Sequence, residues 1–390
     1  MRKHVRFRPA VLAVAVVGAV ALVAVLLAST GATGGPGPAA AGLRAAAGLR
    51  AAAGLQAAAG TARGSPQAQM FANPVLGAGQ DPSLVTSGHW YYFTQTSPDW
   101  TYLTVRRARS IKSLAAAPKT VVWHGGEAGS PCCQWWAPEL HFIDGMWYIY
   151  TAADDGKGRN HRLQVLQASD PLGPYTYKGQ LTTPGNRWSI DPSPLQLPDG
   201  RLYLTWSGWP DDGNGRQDIY LARLASPWTV TGARTLLSTP ADAWERRSNG
   251  IPVKVNESPE PLVHDGRVFV TYSGSACWTP GYALGLLSAS IGANLMNASS
   301  WTKSAQPVFQ SNPAAGIYGP ASNGFFTSPD GRQTWILFHA VNDPNGNCVL
   351  ERDVYAQQVT WSANGFPQFG GQPIPTTTPL HVPSGDPGAS

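Results

Sequence analysis

From about Gln67 onward, short apolar and aromatic runs alternate with clusters of Gly, Pro, Asn, Asp and Ser. The runs are too short for helices and rich in Val, Ile, Tyr, Phe and Trp, a pattern of strands separated by turns. Five segments share one arrangement: a polar, Pro-containing lead, an apolar strand, a tight turn and a strand rich in aromatics. They read GQDPSLVTSGHWYYFTQT, WWAPELHFIDGMWYIYTAA, WSIDPSPLQLPDGRLYLTWSG, VNESPEPLVHDGRVFVTYSG and YGPASNGFFTSPDGRQTWILFHA. Their turns fall at Ser87-Gly88, Asp144-Gly145, Asp199-Gly200, Asp265-Gly266 and Asp330-Gly331, with the turn glycines 57, 55, 66 and 65 residues apart. Asp-Gly between apolar runs is a strong hairpin signal, because both residues tolerate positive φ. Further runs such as HRLQVLQAS and DIYLARLAS bring each copy to about four strands. Repeats of this length, with several strands each, are the signature of propeller blades. The pattern predicts an all-β fold, a five-bladed β-propeller from about Phe71 to about Thr376, within a domain spanning 67–390.

Composition points the same way. The 43 Gly and 34 Pro make up about a fifth of 390 residues, against a usual share of roughly 12%. A helical bundle or a doubly wound α/β enzyme is excluded, while 43% hydrophobic residues allow a large core. The net charge of +5 is local. Of 28 Lys and Arg, seven lie in residues 1–63, which hold no acid; the other 21 face 23 Asp and Glu, a net of −2. That excludes a basic nucleic-acid-binding domain. The basic start MRKHVRFRPA precedes an apolar run from Val11 to Ala28. Residues 1–30 thus read as a secretory signal or an uncleaved membrane anchor. Residues 31–66, with the repeat AGLRAA, AGLRAA, AGLQAA, read as an Ala/Gly-rich linker. Export permits disulfides among Cys132, Cys133, Cys277 and Cys348, whose spacing does not match a zinc site. The vicinal pair bonds within itself, or its members pair separately with Cys277 and Cys348; the sequence leaves both open.

Prolines cluster at the first strand of each copy: Pro82, Pro138, Pro192, Pro194, Pro259, Pro261 and Pro320. Proline removes a ladder donor and belongs on edge strands. The innermost strand of a propeller blade is such an edge, so the Pro-rich strand is predicted to line the central channel. Asp81, Asp191 and Glu257 then enter the channel from three different blades. Converging carboxylates suit glycoside hydrolysis with inversion. One acid protonates the leaving oxygen, a second activates water, and a third raises the acid's pKa by like-charge repulsion. Trp135, Trp136, Trp188 and Trp278, near the same strand ends, offer faces for sugar. Asp-Pro and Glu-Ser-Pro are also common turn chemistry; the four Asp-Gly acids read as turns only.

At these residues the sequence resembles glycoside hydrolase family 43, five-bladed propellers that act as arabinofuranosidases, xylosidases and arabinanases. The likeness runs from about Asn73 to Ile374. It rests on GQDPSLV, WSIDPSP and VNESPEPL in order, on WAPELHFIDGMWYIYTA, and on the closing segment RDVYAQQVTWSANGFPQFGGQP. The resemblance implies an inverting enzyme with Asp81 as general base, Asp191 as pKa modulator and Glu257 as general acid. Ser258 stands where the family's motif has Gly. Glu260 is the second candidate for the acid, and is expected to face away from Glu257 because an odd offset flips the side chain along a strand. Arg352 matches an Arg that reaches the sugar, with a surface ion pair to Asp353 or Glu351 as its alternative. Trp136 matches a stacking aromatic, with a core position between blades as its alternative.

The fifth copy has Gly319-Pro320-Ala321-Ser322-Asn323 where many relatives carry Gly-Pro-Gly-His. That His helps hold a calcium ion or water cluster. Ser322 is a weaker ligand than imidazole for most metals, though calcium accepts oxygen donors. No metal site is assigned and no cofactor expected, with calcium left open. His339 is expected to be a buried, satisfied side chain. Asn342-Asp343-Pro344-Asn345-Gly346 resembles the nucleophile motif of fructan- and sucrose-cleaving propellers, but is read as a turn. The segments NESPEPLV, SGSACWTPGYALGLL and WTKSAQPVF look most like secreted α-L-arabinofuranosidases. This implies an extracellular enzyme that releases terminal L-arabinofuranose from plant cell-wall arabinan or arabino-oligosaccharides, with α-1,5 links expected. A β-xylosidase or endo-arabinanase is the nearest enzymatic alternative, and a non-catalytic sugar-binding propeller the nearest of another class. The mature domain is expected to be a monomer with no nucleic-acid or membrane partner.

Overall fold

The computed structural model describes residues 69–388, except 249, 251 and 349–351. The leader and linker expected over 1–30 and 31–66 lie outside the described residues. Five four-stranded antiparallel sheets, each from contiguous sequence, form the blades. Their innermost strands are Gln80–Ser87, Cys133–Ile143, Ser189–Gln196, Asn256–His264 and Tyr318–Thr327, in blades 1 to 5. These are the Pro-rich strands, as predicted. Each touches the innermost strand of the next blade, and the fifth touches the first, so the ring closes into a five-bladed β-propeller.

The core lies between blades. Tyr92, Leu103 and Val105 of blade 1 pack with Leu140, Trp147 and Ile149 of blade 2. Tyr150, Leu163 and Val165 of blade 2 pack with Leu204, Trp206 and Tyr220 of blade 3. Similar wedges join blades 3 and 4, 4 and 5, and 5 and 1. Each fully buried Leu, Val or aromatic in these wedges contributes about 1.5–3 kcal/mol. The ring is therefore held by its seams, and what lies at its axis is free to be polar.

The two ends of the propeller domain clasp each other. Met70–Phe71 pairs with Leu380–His381, beyond the expected limit at Thr376. Asn73 exchanges two hydrogen bonds of 2.9 Å with the backbone of Ala356 in blade 5. The Asp-Gly dipeptides serve two kinds of turn. At Asp144-Gly145 and Asp265-Gly266 both residues have positive φ, which closes a two-residue hairpin. At Asp199-Gly200 and Asp330-Gly331 only the glycine does; there the carboxylate accepts the N–H two residues on, from Arg201 and Arg332, at 3.1 Å each. Two disulfides form, Cys132–Cys133 and Cys277–Cys348, which resolves the open pairing.

Candidate active site

All five innermost strands break register at one equivalent place. The pairs Gln80/Ser83, Trp136/Glu139, Ile190/Ser193, Glu257/Glu260 and Ala321/Gly324 are each three residues apart, opposite partners only two apart. Each is a β-bulge with one extra residue. The residue after the first of each pair has a left-handed backbone: Asp81 (φ 51°), Ala137 (45°), Asp191 (54°), Ser258 (50°) and Ser322 (46°). Non-glycine residues hold this conformation at a cost of about 1–3 kcal/mol each, and only where the surroundings over-determine it. Proline follows in blades 1 to 4, tolerated because the bulge already interrupts the ladder.

The bulge lets two successive residues of one strand serve the same pocket. Gln80 and Asp81 of blade 1, Ile190 and Asp191 of blade 3, and Glu257 and Ser258 of blade 4 all line it. Trp136 of blade 2, Trp100, Trp188, Trp278, Tyr282 and Arg352 are among the other residues lining this pocket of about 340 Å³. The three carboxylates singled out in the sequence thus meet, together with Trp136 and Arg352.

The bulge also overturns one expectation. Glu257 pairs with Ser273 and Glu260 with Thr271, which are two apart and share a face, so Glu260 does not flip away from Glu257. It lies deeper. It accepts from Ser193 Oγ at 3.0 Å and from the Phe325 N–H at 3.4 Å, and is not part of the pocket wall. Trp135 is corrected as well. It is fully buried, donates to the Pro131 carbonyl at 3.1 Å, and offers no face to the pocket.

Each site carboxylate is held by named donors. Asp81 accepts from Thr96 Oγ1 at 2.7 Å and from Ser322 Oγ at 2.9 Å. Asp191 accepts from the Ser258 N–H at 3.0 Å and Ser258 Oγ at 3.4 Å. Glu257 accepts from the Tyr282 hydroxyl at 2.9 Å. Burial pushes Glu257 up to about 7; the charge of Asp81 adds to this, while the Tyr282 hydrogen bond and Arg352 oppose it. Burial, then the charges of Glu257 and Asp81, raise Asp191 well above the carboxylate range. Two acids so close to each other hold a proton between them near neutral pH.

Arg352 is buried, not a surface ion-pair partner of Asp353. It donates to Gln80 Oε1, and its Nη1 lies 3.0 Å from His339 Nε2. His339 is fully buried, as expected, and its Nδ1 accepts the Asp81 N–H at 3.1 Å. Burial and then Arg352 hold it well below the usual imidazole range. It stays neutral, and with Nδ1 accepting from Asp81 its proton sits on Nε2, so it packs between Asp81 and Arg352 without accepting from both. Trp136 is half-buried, with one face stacked on His161 at 4.0 Å. Gln80, Thr96 and Tyr282 escaped the sequence reading; Thr96 was findable as the hairpin partner of Gln80, whereas Tyr282 carried no signal.

Ser322 donates its proton to Asp81. Among the described residues, no three His, Cys, Asp or Glu side chains converge as metal ligands. The Asn342–Gly346 stretch is an Asx-type turn, with Asp343 Oδ1 accepting the Asn345 N–H at 2.9 Å.

A second polar layer lies three residues past Trp136 and Glu257 on their strands. Glu139 sits 2.9 Å from His141 Nε2. Burial pushes Glu139 up to about 8 and His141 down to about 4, so near neutral pH both are uncharged and share one proton.

The family model for glycosyl hydrolases family 43 matches residues 71–367. An extracellular exo-α-(1→5)-L-arabinofuranosidase of Streptomyces avermitilis is 38% identical over 340 residues, which cover 83% of this chain and 68% of that protein. A protein of the same description from Streptomyces chartreusis is 36% identical, over 72% of this chain and 85% of its own length. The crystal structure of an α-L-arabinofuranosidase from Lactobacillus brevis superposes with a TM-score of 0.72 at 32% identity, over 79% of this chain and 98% of that one.

Proposed function

The chain belongs to glycosyl hydrolases family 43, and from that premise we propose that it is an extracellular exo-α-L-arabinofuranosidase acting with inversion on α-1,5-linked arabinan or arabino-oligosaccharides. The observation that carries the reading is the meeting of Asp81, Asp191 and Glu257, from three blades, in one pocket with Arg352 and Trp136. The names of the relatives support the sugar and the setting outside the cell. Among the described residues no helix is long and apolar enough to cross a membrane.

Asp81 activates the water. Thr96 and Ser322 fix its two carboxylate oxygens, and His339 fixes its backbone N–H. Glu257 protonates the leaving oxygen. Its shift to about 7 leaves it protonated in weakly acidic solution, as a general acid requires. Asp191 accepts from Ser258 and is itself raised by burial and by the charge of Glu257, so the two acids hold one proton between them. Arg352 offers a guanidinium to the sugar hydroxyls. Trp136, backed by His161, presents its other face. No step is assigned to a metal or cofactor.

Proton NMR of the protein acting on α-1,5-arabino-oligosaccharides tests this. Free arabinose is expected to appear first as the β anomer. The α anomer appearing first would overturn inversion. Release of internal fragments would overturn exo action, and intact oligosaccharide with hydrolysis of xylo-oligosaccharides would overturn the sugar.

A further inference from the structure

A second pocket, of about 690 Å³, opens beside the first and shares Trp188 and Gln217 with it. Its chemistry differs. Three arginines, Arg159, Arg162 and Arg187, line it against a single carboxylate, Asp212. Asp212 is 96% exposed and only 3.5 Å from Arg187 Nε, so solvent screens most of its neutralising effect. Arg162 is fixed, donating to Asn186 Oδ1 at 3.0 Å and to the His161 carbonyl at 2.8 Å. Arg159 is exposed. The pocket floor is aromatic: Trp188 stacks on Trp209, with centroids 4.9 Å apart and planes 13° apart.

Residues 64–390 carry a net charge of −2, so three arginines around one depression are a departure from the background. They lie between blades 2 and 3: Arg159 and Arg162 follow the second strand of blade 2, and Arg187 leads into blade 3. A neutral sugar accepts hydrogen bonds from guanidinium groups but supplies no charge to pair with them. A planar carboxylate matches the guanidinium fork with two parallel N–H···O bonds. The exposed margin of the Trp188–Trp209 stack offers apolar contact to a sugar ring. A sugar acid satisfies both at once.

We propose that this pocket is a subsite for a carboxylated sugar unit, a uronic acid residue, in the part of the substrate adjoining the hydrolysed arabinose. The proposal rests on the glycosidase reading and adds the charge of the preferred substrate to it. The enzyme then acts best where arabinose is borne on, or lies close to, an acidic saccharide.

The test measures inhibition of nitrophenyl α-L-arabinofuranoside hydrolysis by trigalacturonate and by its neutral methyl ester, at low and high salt. Trigalacturonate is expected to inhibit about tenfold more strongly than the ester, with the preference shrinking as salt rises. The double variant Arg159→Gln/Arg187→Gln is expected to lose that preference while keeping kcat and KM for the nitrophenyl arabinoside. Equal inhibition by acid and ester, or a preference that survives in the double variant, overturns the subsite. If the nitrophenyl arabinoside is not hydrolysed at all, the glycosidase reading fails instead. Titration calorimetry with the same two trisaccharides then still decides the subsite, by whether the acid binds more tightly than the ester.

Discussion

Two layers of carboxylates sit near the propeller axis, and they differ in what they face. The upper layer, Asp81, Asp191 and Glu257, lines the pocket. The lower layer, Glu139 and Glu260, lies three residues past Trp136 and Glu257 on their strands and outside the pocket wall. Exposure does not separate them, since Asp191 is 7% exposed and Glu260 8%. Elevated pKa does not either, since burial raises Glu257 to about 7 and Glu139 to about 8. What separates them is whether a substrate atom can reach the oxygen. A raised carboxyl pKa inside a protein therefore marks desolvation first, and chemistry only where a cavity adjoins it.

The largest expected effect breaks the comparison at its upper layer. Asp81→Ala should lower kcat by about 10³–10⁴-fold on every arabinoside, because water activation is needed whatever the leaving group. Glu257→Ala should lose as much on oligosaccharides but far less on nitrophenyl arabinoside, whose leaving group needs little protonation. Equal losses on the two substrates would remove Glu257 from the acid's role. Glu260→Gln, in the lower layer, should stay within a few-fold of the parent on both.

Next comes the pH profile. Asp191→Asn removes one carboxyl of the pair that holds a proton between its members. Ionising Glu257 becomes easier, so the basic limb of kcat against pH should move down by about one pH unit. An unmoved limb would leave Asp191 with a purely geometric role.

The lower layer should speak through stability instead. Glu139 has a folded pKa of about 8, above its ordinary value of 4.5. The folded state thus binds its proton more tightly, and stability falls as pH rises from about 4.5 to 8. His141, lowered to about 4, contributes the opposite slope between about 4 and 6.5. The two slopes separate above pH 6.5. Melting temperatures between pH 6.5 and 8 should fall in the parent and fall less in Glu139→Gln, with kcat little changed.

The smallest effect concerns the bulge backbone. Ser258→Gly relieves a left-handed residue and keeps the N–H that binds Asp191, at the loss of a long 3.4 Å hydroxyl contact. A gain of up to about 1 kcal/mol in chemical denaturation is expected, with activity retained. A clear loss of stability would show that the hydroxyl outweighs the strain.

The blade count was legible because each hairpin carries its own local code: turn residues at Gly88, Gly145, Gly200, Gly266 and Gly331, and a flanking period-two pattern. The Asp-Pro and Glu-Ser-Pro motifs were legible as channel-lining because proline limits where a strand can sit. Glu260 was misplaced because strand parity was carried across Ser258, and nothing in the letters NESPE declares a bulge. Trp135 and Trp136 are neighbours of the same type, yet one is sealed in a seam and the other lines the pocket.

The sequence by itself determined the strands, their repetition, and the acids that belong at the inner edge, because hydrophobic period, turn residues and proline act over a few neighbouring positions. Only the tertiary structure decided which acids share a pocket, that Tyr282 holds Glu257, that His339 stands between Asp81 and Arg352, and that three arginines gather beside Trp188 and Trp209. Those contacts join residues far apart in sequence. They exist only once the ring closes and five equivalent bulges turn their side chains toward one axis.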